Sequence, residues 1–223
     1  MEKRPGSELS QSVQDYLKII HKLQVNGSVS TTVIAKELHV SGASVTGMLK
    51  KLESMGLVDY NRYRGAQLSD KGNKAALEII RLHRLLELYL KEKMGFGLDR
   101  VHGEACRMEH SISEQFSNKL DEILGHPEFD PHGHPIPSKN GEMPKIKEYQ
   151  LSIIEPVTQV MISHIADENE RILAYLEELG LLPNVKIDVL EKEPFNGPIT
   201  ISYNGIQKVI GYEIAKDIFV KIV

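Results

Sequence analysis

Cysteine is almost absent: Cys106 is the only one in 223 residues. A single thiol excludes an intrachain disulfide and suits a reducing compartment. No apolar run approaches the roughly 20 residues needed to span a bilayer. The opening stretch MEKRPGSELSQ has no apolar signal-peptide core. The cytoplasm is therefore the expected location, with no membrane contact. No internal repeat is visible. Hydrophobic residues at 41% and charged residues at 26% describe a globular chain rather than a disordered one. Its length suits one large domain or two to three small ones.

The net charge of −4 hides an asymmetry. Residues 1–74 hold 11 Lys and Arg against 7 Asp and Glu, a balance of +4 that leaves −8 for the rest. A basic N-terminal module on an acidic body fits a DNA reader. The hydrophobic pattern there agrees. Leu9, Val13, Leu17 and Ile20 recur at helical spacing and predict a helix over 8–25. In STTVIAKELHVSGASVTGMLKKLESMGLVDY, Thr31 or Thr32 is expected to cap a short helix that buries Ile34, Ala35 and Leu38. The tract His39–Gly42 interrupts it, and a second helix burying Val45, Leu49 and Leu52 runs to about Met55, with Gly56 as its stop. Two such helices across a tight turn form a helix-turn-helix. Residues 57–60 and 66–68 read as a hairpin around Asn61–Gly65, making the motif winged.

A long helix is expected over 70–95 and another over roughly 99–124, then an irregular proline-rich loop over Gly125–Gly141. Past about residue 156 the pattern turns to strands. PVTQVMIS and the alternating sets Val185/Ile187/Val189, Ile199/Ile201/Tyr203 and Ile218/Val220/Ile222 surround a helix over ADENERILAYLEEL that ends at Gly180. The expected fold is mainly α with a β-rich tail. Its segments are a winged helix-turn-helix over 1–74, a helical metal-binding and dimerisation region over 75–145, and an SH3-like (FeoA-like) barrel over 155–223.

The stretch His83–His110 carries the chemistry. His83 and Glu87 stand four apart, so one helix face presents both to a cation. In His102-Gly-Glu-Ala-Cys106-Arg-Met-Glu109-His110, an ideal helix puts Cys106 at about 40°, Glu109 at about −20° and His110 at about 80° from His102. Imidazole, thiolate and carboxylate on one stripe form a transition-metal set. The mixture of soft and hard donors suits reversible sensing better than a structural zinc, which uses more cysteine.

With LHRLLELYL, VHGEACRMEH, DPHGHPIP and the β-rich tail, essentially the whole chain resembles the diphtheria toxin repressor and manganese transport regulator family of metal-dependent repressors. The resemblance implies a homodimer, double-stranded operator DNA as partner, and Fe2+ or Mn2+ at two sites per subunit. It implies a regulatory site of Asp15, Cys106, Glu109 and His110, in which Asp15 links the DNA-binding module to the dimerisation core. It implies an ancillary site of His83, Glu87 and His102. Alignment back from LEELGLLPN adds His164 and Asp167 to that site. The DPHGHPIP tract, with His132 and His134, is expected to act as a connector, and His126 is likewise assigned to structure rather than ligation. The site is a hybrid: Asp15 matches the manganese type, Cys106 matches the iron type, and Lys18 stands where the manganese type has a further carboxylate.

DNA contacts are expected from the start of the second helix of the motif, at Ser41, Ala43, Ser44, Thr46 and Lys50, and from the wing residues Arg62 and Arg64. Two other readings use the same residues. A metallohydrolase would need an open metal position beside a general base, and no such motif is visible, so the expectation is no enzyme and no small organic substrate. A metal-independent winged-helix regulator would bind DNA equally well with a chelator present.

Overall fold

The computed structural model describes residues 9–24, 27–166 and 169–223. Asp167 therefore lies outside the described residues. The chain divides into two compact units. The first comprises the segment up to His83 with Arg107–Glu122 and Pro137–Glu142. The second comprises Arg84–Cys106, Ile123–Ile136 and Met143–Val223.

The first unit opens with α1 (Gln11–Leu23), α2 (Thr31–Glu37) and α3 (Gly42–Ser54). Val13, Leu17, Ile20, Ile34, Val45, Leu49 and Leu52 are buried in one core, each worth roughly 1.5–3 kcal/mol over an exposed position. The cap of α2 differs from expectation. Ser30, not a threonine, accepts from the Val33 amide, because its extended backbone leaves Thr31 inside the first turn. Ser41 caps α3 in the same way, accepting from the Ser44 amide. His39 takes φ 53° in the turn between the helices, and Gly56 takes φ +69° after α3. The wing is β1 (Val58–Asn61) paired antiparallel with β2 (Gly65–Leu68). Asn61 Oδ1 accepts from the Tyr63 and Arg64 amides, which closes the turn. Gly65 sits at φ +91°, and a Cβ there would lie 2.2 Å from the Val29 carbonyl oxygen. Only glycine satisfies both demands.

Helix α4 (Asp70–Glu92) follows. The next helix is shorter than the sequence pattern suggests: α5 (Leu98–Met108) tightens into a 3-10 turn at Glu109–Ser111 and stops. Ile112 is extended, and α6 (Glu114–Ile123) starts afresh, because the Ser113 hydroxyl accepts from the Phe116 amide. A capping serine ends one helix by starting the next. Within the first unit, Arg81 pairs with buried Asp121 of α6 at 2.7 Å.

In the second unit, β3 (Tyr149–Gln150), β4 (Thr158–Ile165), β5 (Lys186–Lys192), β6 (Ile199–Tyr203), β7 (Ile206–Ile210) and β8 (Ile218–Ile222) form one antiparallel sheet in the order β3-β8-β4-β5-β6-β7. Helices α7 (Glu170–Glu178) and α8 (Tyr212–Ala215) complete this SH3-like module. The expected helix over 166–179 begins only at Glu170, where Asn169 caps it. Leu98 of α5 is buried in the same core as the sheet. Glu177 of α7 binds both Lys91 and the Leu98 amide.

Candidate metal centres and DNA-contacting surface

In the first unit, α1 supplies Asp15, and the 3-10 turn supplies Glu109 and His110. One ligand atom from each lies within 4.8 Å of the others. His110 Nε2 is 3.5 Å from Asp15 Oδ1 and 3.5 Å from Glu109 Oε1. Ligand atoms about 2.0–2.2 Å from one cation are separated by distances of this order. The ring is held in register, because His110 Nδ1 lies 2.7 Å from Gln14 Oε1. The amide oxygen can only accept, so Nδ1 donates, and Nε2 is the ring nitrogen turned toward the carboxylates, where a cation can replace a proton. Oxygen, oxygen and imidazole nitrogen fit a divalent first-row cation.

Glu109 is only 4% exposed. Its Oε2 lies 2.7 Å from His83 Nδ1, and Lys18 Nζ donates to Oε1 at 2.8 Å and Oε2 at 3.1 Å. Burial alone would raise the Glu109 pKa, but the hydrogen bond and charge of His83, together with Lys18, hold it below its ordinary value. Asp15 moves the opposite way. Burial raises it, and the opposing pull of His110 and Lys18 is smaller. Glu109 is thus held ionised by His83 first and Lys18 second, whereas burial makes Asp15 harder to ionise than an ordinary carboxyl.

In the second unit, Glu87 is 3% exposed. Its Oε1 lies 3.1 Å from His102 Nδ1, and its Oε2 3.9 Å from His132 Nδ1. Cys106 Sγ lies 3.6 Å from His102 Nε2. His164 on β4 contacts Glu148 at 3.0 Å and the ring of His134, with centroids 4.9 Å apart. The expected stripe runs past the end of α5, so its last two residues lie on the 3-10 turn rather than on the helix. The 3-10 turn winds more tightly than an α-helix, which spoils the wheel projection for Glu109 and His110. Glu109 and His110 pair with His83, Lys18, Gln14 and Asp15, while Cys106 pairs with His102. Sequence reading missed Gln14, whose role depends on a residue 96 positions away, and His132 beside Glu87.

On α3, Ser41, Ala43, Ser44 and Lys50 are exposed and Thr46 is half-buried. Two of the small polar groups are engaged locally. The Ser41 and Ser44 hydroxyls share a 2.9 Å hydrogen bond, and Thr46 Oγ1 donates to the Gly42 carbonyl. Arg62, Tyr63 and Arg64 are exposed at the wing tip.

Known proteins match in the same arrangement. Residues 8–66 match the iron dependent repressor N-terminal DNA binding domain. Residues 69–138 match the iron dependent repressor metal binding and dimerisation domain. Residues 149–222 match the FeoA domain. An uncharacterised helix-turn-helix-type transcriptional regulator of Methanocaldococcus jannaschii is 35% identical over 114 residues, spanning 50% of this chain and 91% of that one. A solved manganese-dependent transcriptional repressor in complex with manganese superposes with a TM-score of 0.88 at 33% identity, covering 95% of this chain and all of that one. The chain belongs to the family of the diphtheria toxin repressor and the manganese-dependent repressors. This repressor is also 29% identical to the iron-dependent repressor IdeR of Mycobacterium leprae over 209 residues, covering 87% of this chain and 90% of that one. Its function is metal-dependent transcriptional repression through DNA binding, in the service of metal homeostasis. Among the described residues, no helix is long and apolar enough to cross a membrane.

Proposed function

We propose that this repressor binds operator DNA as a homodimer when a divalent cation, Mn2+ or Fe2+, is held by Asp15, Glu109 and His110, with Cys106 a further candidate ligand on the family resemblance alone. The carrying observation is the convergence of Asp15 from α1 with Glu109 and His110 from the 3-10 turn. A cation there contributes charge and coordination bonds that fasten α1 to the turn. Because α1 shares its core with α2 and α3, fastening it restrains the helix-turn-helix. The cation competes with Lys18 for Glu109, so occupancy is reversible, as a sensor requires.

By the family resemblance the ancillary site takes Glu87 and His102, which contact each other, and His83 is a further candidate on that resemblance alone. His132 approaches Glu87 and is a further donor for it. Asp167 remains a candidate on the strength of the family resemblance. His164, expected at the same site, is engaged with Glu148 and His134, so the ancillary site does not rest on it. On DNA, Ala43, Ser44 and Thr46 at the start of α3 meet base edges or phosphates, and Lys50, Arg62 and Arg64 neutralise phosphates.

The test is operator binding by the full chain, titrated with Mn2+ and, anaerobically, Fe2+, against a chelator control. Affinity should rise with metal, and its logarithm should fall with log salt at a slope of about −0.9 per phosphate contact. Equal affinity in chelator and in metal would overturn the reading, favouring the metal-independent regulator.

A further inference from the structure

Glu177 of α7 lies far in sequence from the ligand-bearing helices, yet its carboxylate holds two of them. Its Oε2 accepts from the Leu98 amide at 2.9 Å, and its Oε1 accepts from Lys91 Nζ. Lys91 stands in the last turn of α4, and Leu98 is the first residue of α5. The first amides of a helix have no partner within it, and a carboxylate there also meets the positive end of the helix dipole. The SH3-like module thus caps α5 from outside. Leu98 is fully buried in one core with Leu173 and Leu176 of α7, which holds the cap against the amide it binds.

The corner between the two helices leaves little play. Gly95 takes φ +73°, and the Phe96 amide donates to the Leu90 carbonyl at 3.0 Å, which closes the end of α4. A Cβ at Gly97 would lie 2.3 Å from Asp99 Oδ1. His132 Nε2 lies 3.3 Å from the Leu98 carbonyl. Burial alone would raise the Glu177 pKa, but the hydrogen bonds from Lys91 and the Leu98 amide hold it below its ordinary value. The spacing gives this bridge its consequence. Lys91 is one helical turn beyond Glu87, and Leu98 is one turn before His102. Residues four apart share a helix face. The Lys91–Glu177–Leu98 bridge therefore spans the same two helices as the Glu87–His102 contact of 3.1 Å, one turn nearer the corner.

We propose that Glu177 is a positioning residue for the ancillary site, setting the separation of α4 and α5 at which Glu87 and His102 meet one cation. The proposal rests on the reading of those two residues as ancillary ligands. Glu177 is not itself a ligand, because its two oxygens are engaged by Lys91 and the Leu98 amide. Ligands already held at the right separation lose less freedom when a cation binds. The bridge therefore raises affinity without touching the ion. A side chain of the SH3-like module thereby tunes a site whose ligands stand on α4 and α5.

The experiment measures Co2+ binding by calorimetry and visible absorption on the full chain carrying Asp15→Ala, so that the regulatory ion is not counted. The site read is the one that His102→Ala abolishes. Adding Glu177→Ala should weaken that site by about tenfold, the lower end of what losing a group that orients a ligand costs, and should alter the Co2+ absorption. Lys91→Met, which cuts one arm of the bridge, should weaken it less. Lys91→Arg, which keeps the arm, should retain the parent affinity. Parent affinity and spectrum in folded Glu177→Ala would overturn the proposal even if its melting temperature falls, because the bridge would then only stabilise the fold. Should Glu177→Ala not fold, Lys91→Met decides: weaker binding with an altered spectrum supports the proposal, and parent binding overturns it. Co2+ binding unchanged by His102→Ala would overturn the ancillary reading and this proposal with it. Loss in His102→Ala without loss in Glu177→Ala would overturn the proposal alone.

Discussion

Two buried carboxylates, one in each unit, are handled differently. Glu109 in the first unit is met by an ammonium and an imidazole, Lys18 and His83. Glu87 in the second is met by the imidazoles of His102 and His132. A cation entering beside Glu109 must compete with the Lys18 ammonium, which donates directly to the carboxylate, whereas one entering beside Glu87 meets imidazoles on the carboxylate oxygens. The first is a site with a built-in threshold.

Removing Glu109 should break this contrast most completely. In Glu109→Gln, operator affinity in saturating Mn2+ should fall to the chelator value, read by fluorescence anisotropy. The metal-free protein should also lose about 1–3 kcal/mol in urea unfolding, less than a fully buried pair costs because Lys18 can turn to solvent. Retained metal activation would show that Glu109 is not a ligand.

Lys18 sharpens the comparison. A bound dication and an ammonium about 4 Å apart repel by several kcal/mol even at an effective dielectric of about 20. Lys18→Gln should therefore raise cation affinity at the regulatory site by about tenfold or more, measured by calorimetry, and lower the metal concentration needed for DNA binding. Weaker binding would mean that Lys18 assists the site. The ancillary contrast is smaller. His102→Ala should shift the metal midpoint for DNA binding by less than Glu109→Gln does, and leave a metal-activated state. Complete loss of activation would make the two sites one cooperative unit.

Acid should separate the same groups. The folded Glu109 pKa lies below its ordinary value, so its contribution to stability is present above the unfolded pKa, about 4.3. That contribution disappears as pH falls through the lower folded value. Metal-free wild type should lose stability over that window, and Glu109→Gln should lose correspondingly less. Parallel curves would place the stabilisation elsewhere.

Much of this was legible in the sequence because it is local. The helical spacing from Val13 to Ile20, the buried face of Val45, Leu49 and Leu52, and the turn at Asn61–Gly65 each follow from one short window. The break at Ile112 was hidden because the ligand-bearing residues still fit an ideal wheel, although Ser113 followed by Glu114 was a readable start signal. Strand β7 was missed because it is largely exposed, which erases the alternation that marks a strand. The site was legible as residue types but not as partnerships. That Gln14 orients His110, that Lys18 neutralises Glu109 and that His164 meets Glu148 depend on distant segments meeting, which no spacing encodes.

The hybrid pair Asp15 and Cys106 offers the most direct test of the proposed regulatory site. The measurement is the DNA-binding midpoint for Mn2+ and for Fe2+, under anaerobic conditions, in wild type, Asp15→Met and Cys106→Glu. Hard carboxylate oxygen favours Mn2+ and thiolate sulfur favours Fe2+. Asp15→Met should lose Mn2+ activation more than Fe2+ activation, and Cys106→Glu should shift the ratio toward Mn2+. If both substitutions move the Mn2+/Fe2+ ratio in the same direction, Asp15 and Cys106 are not ligands of one ion.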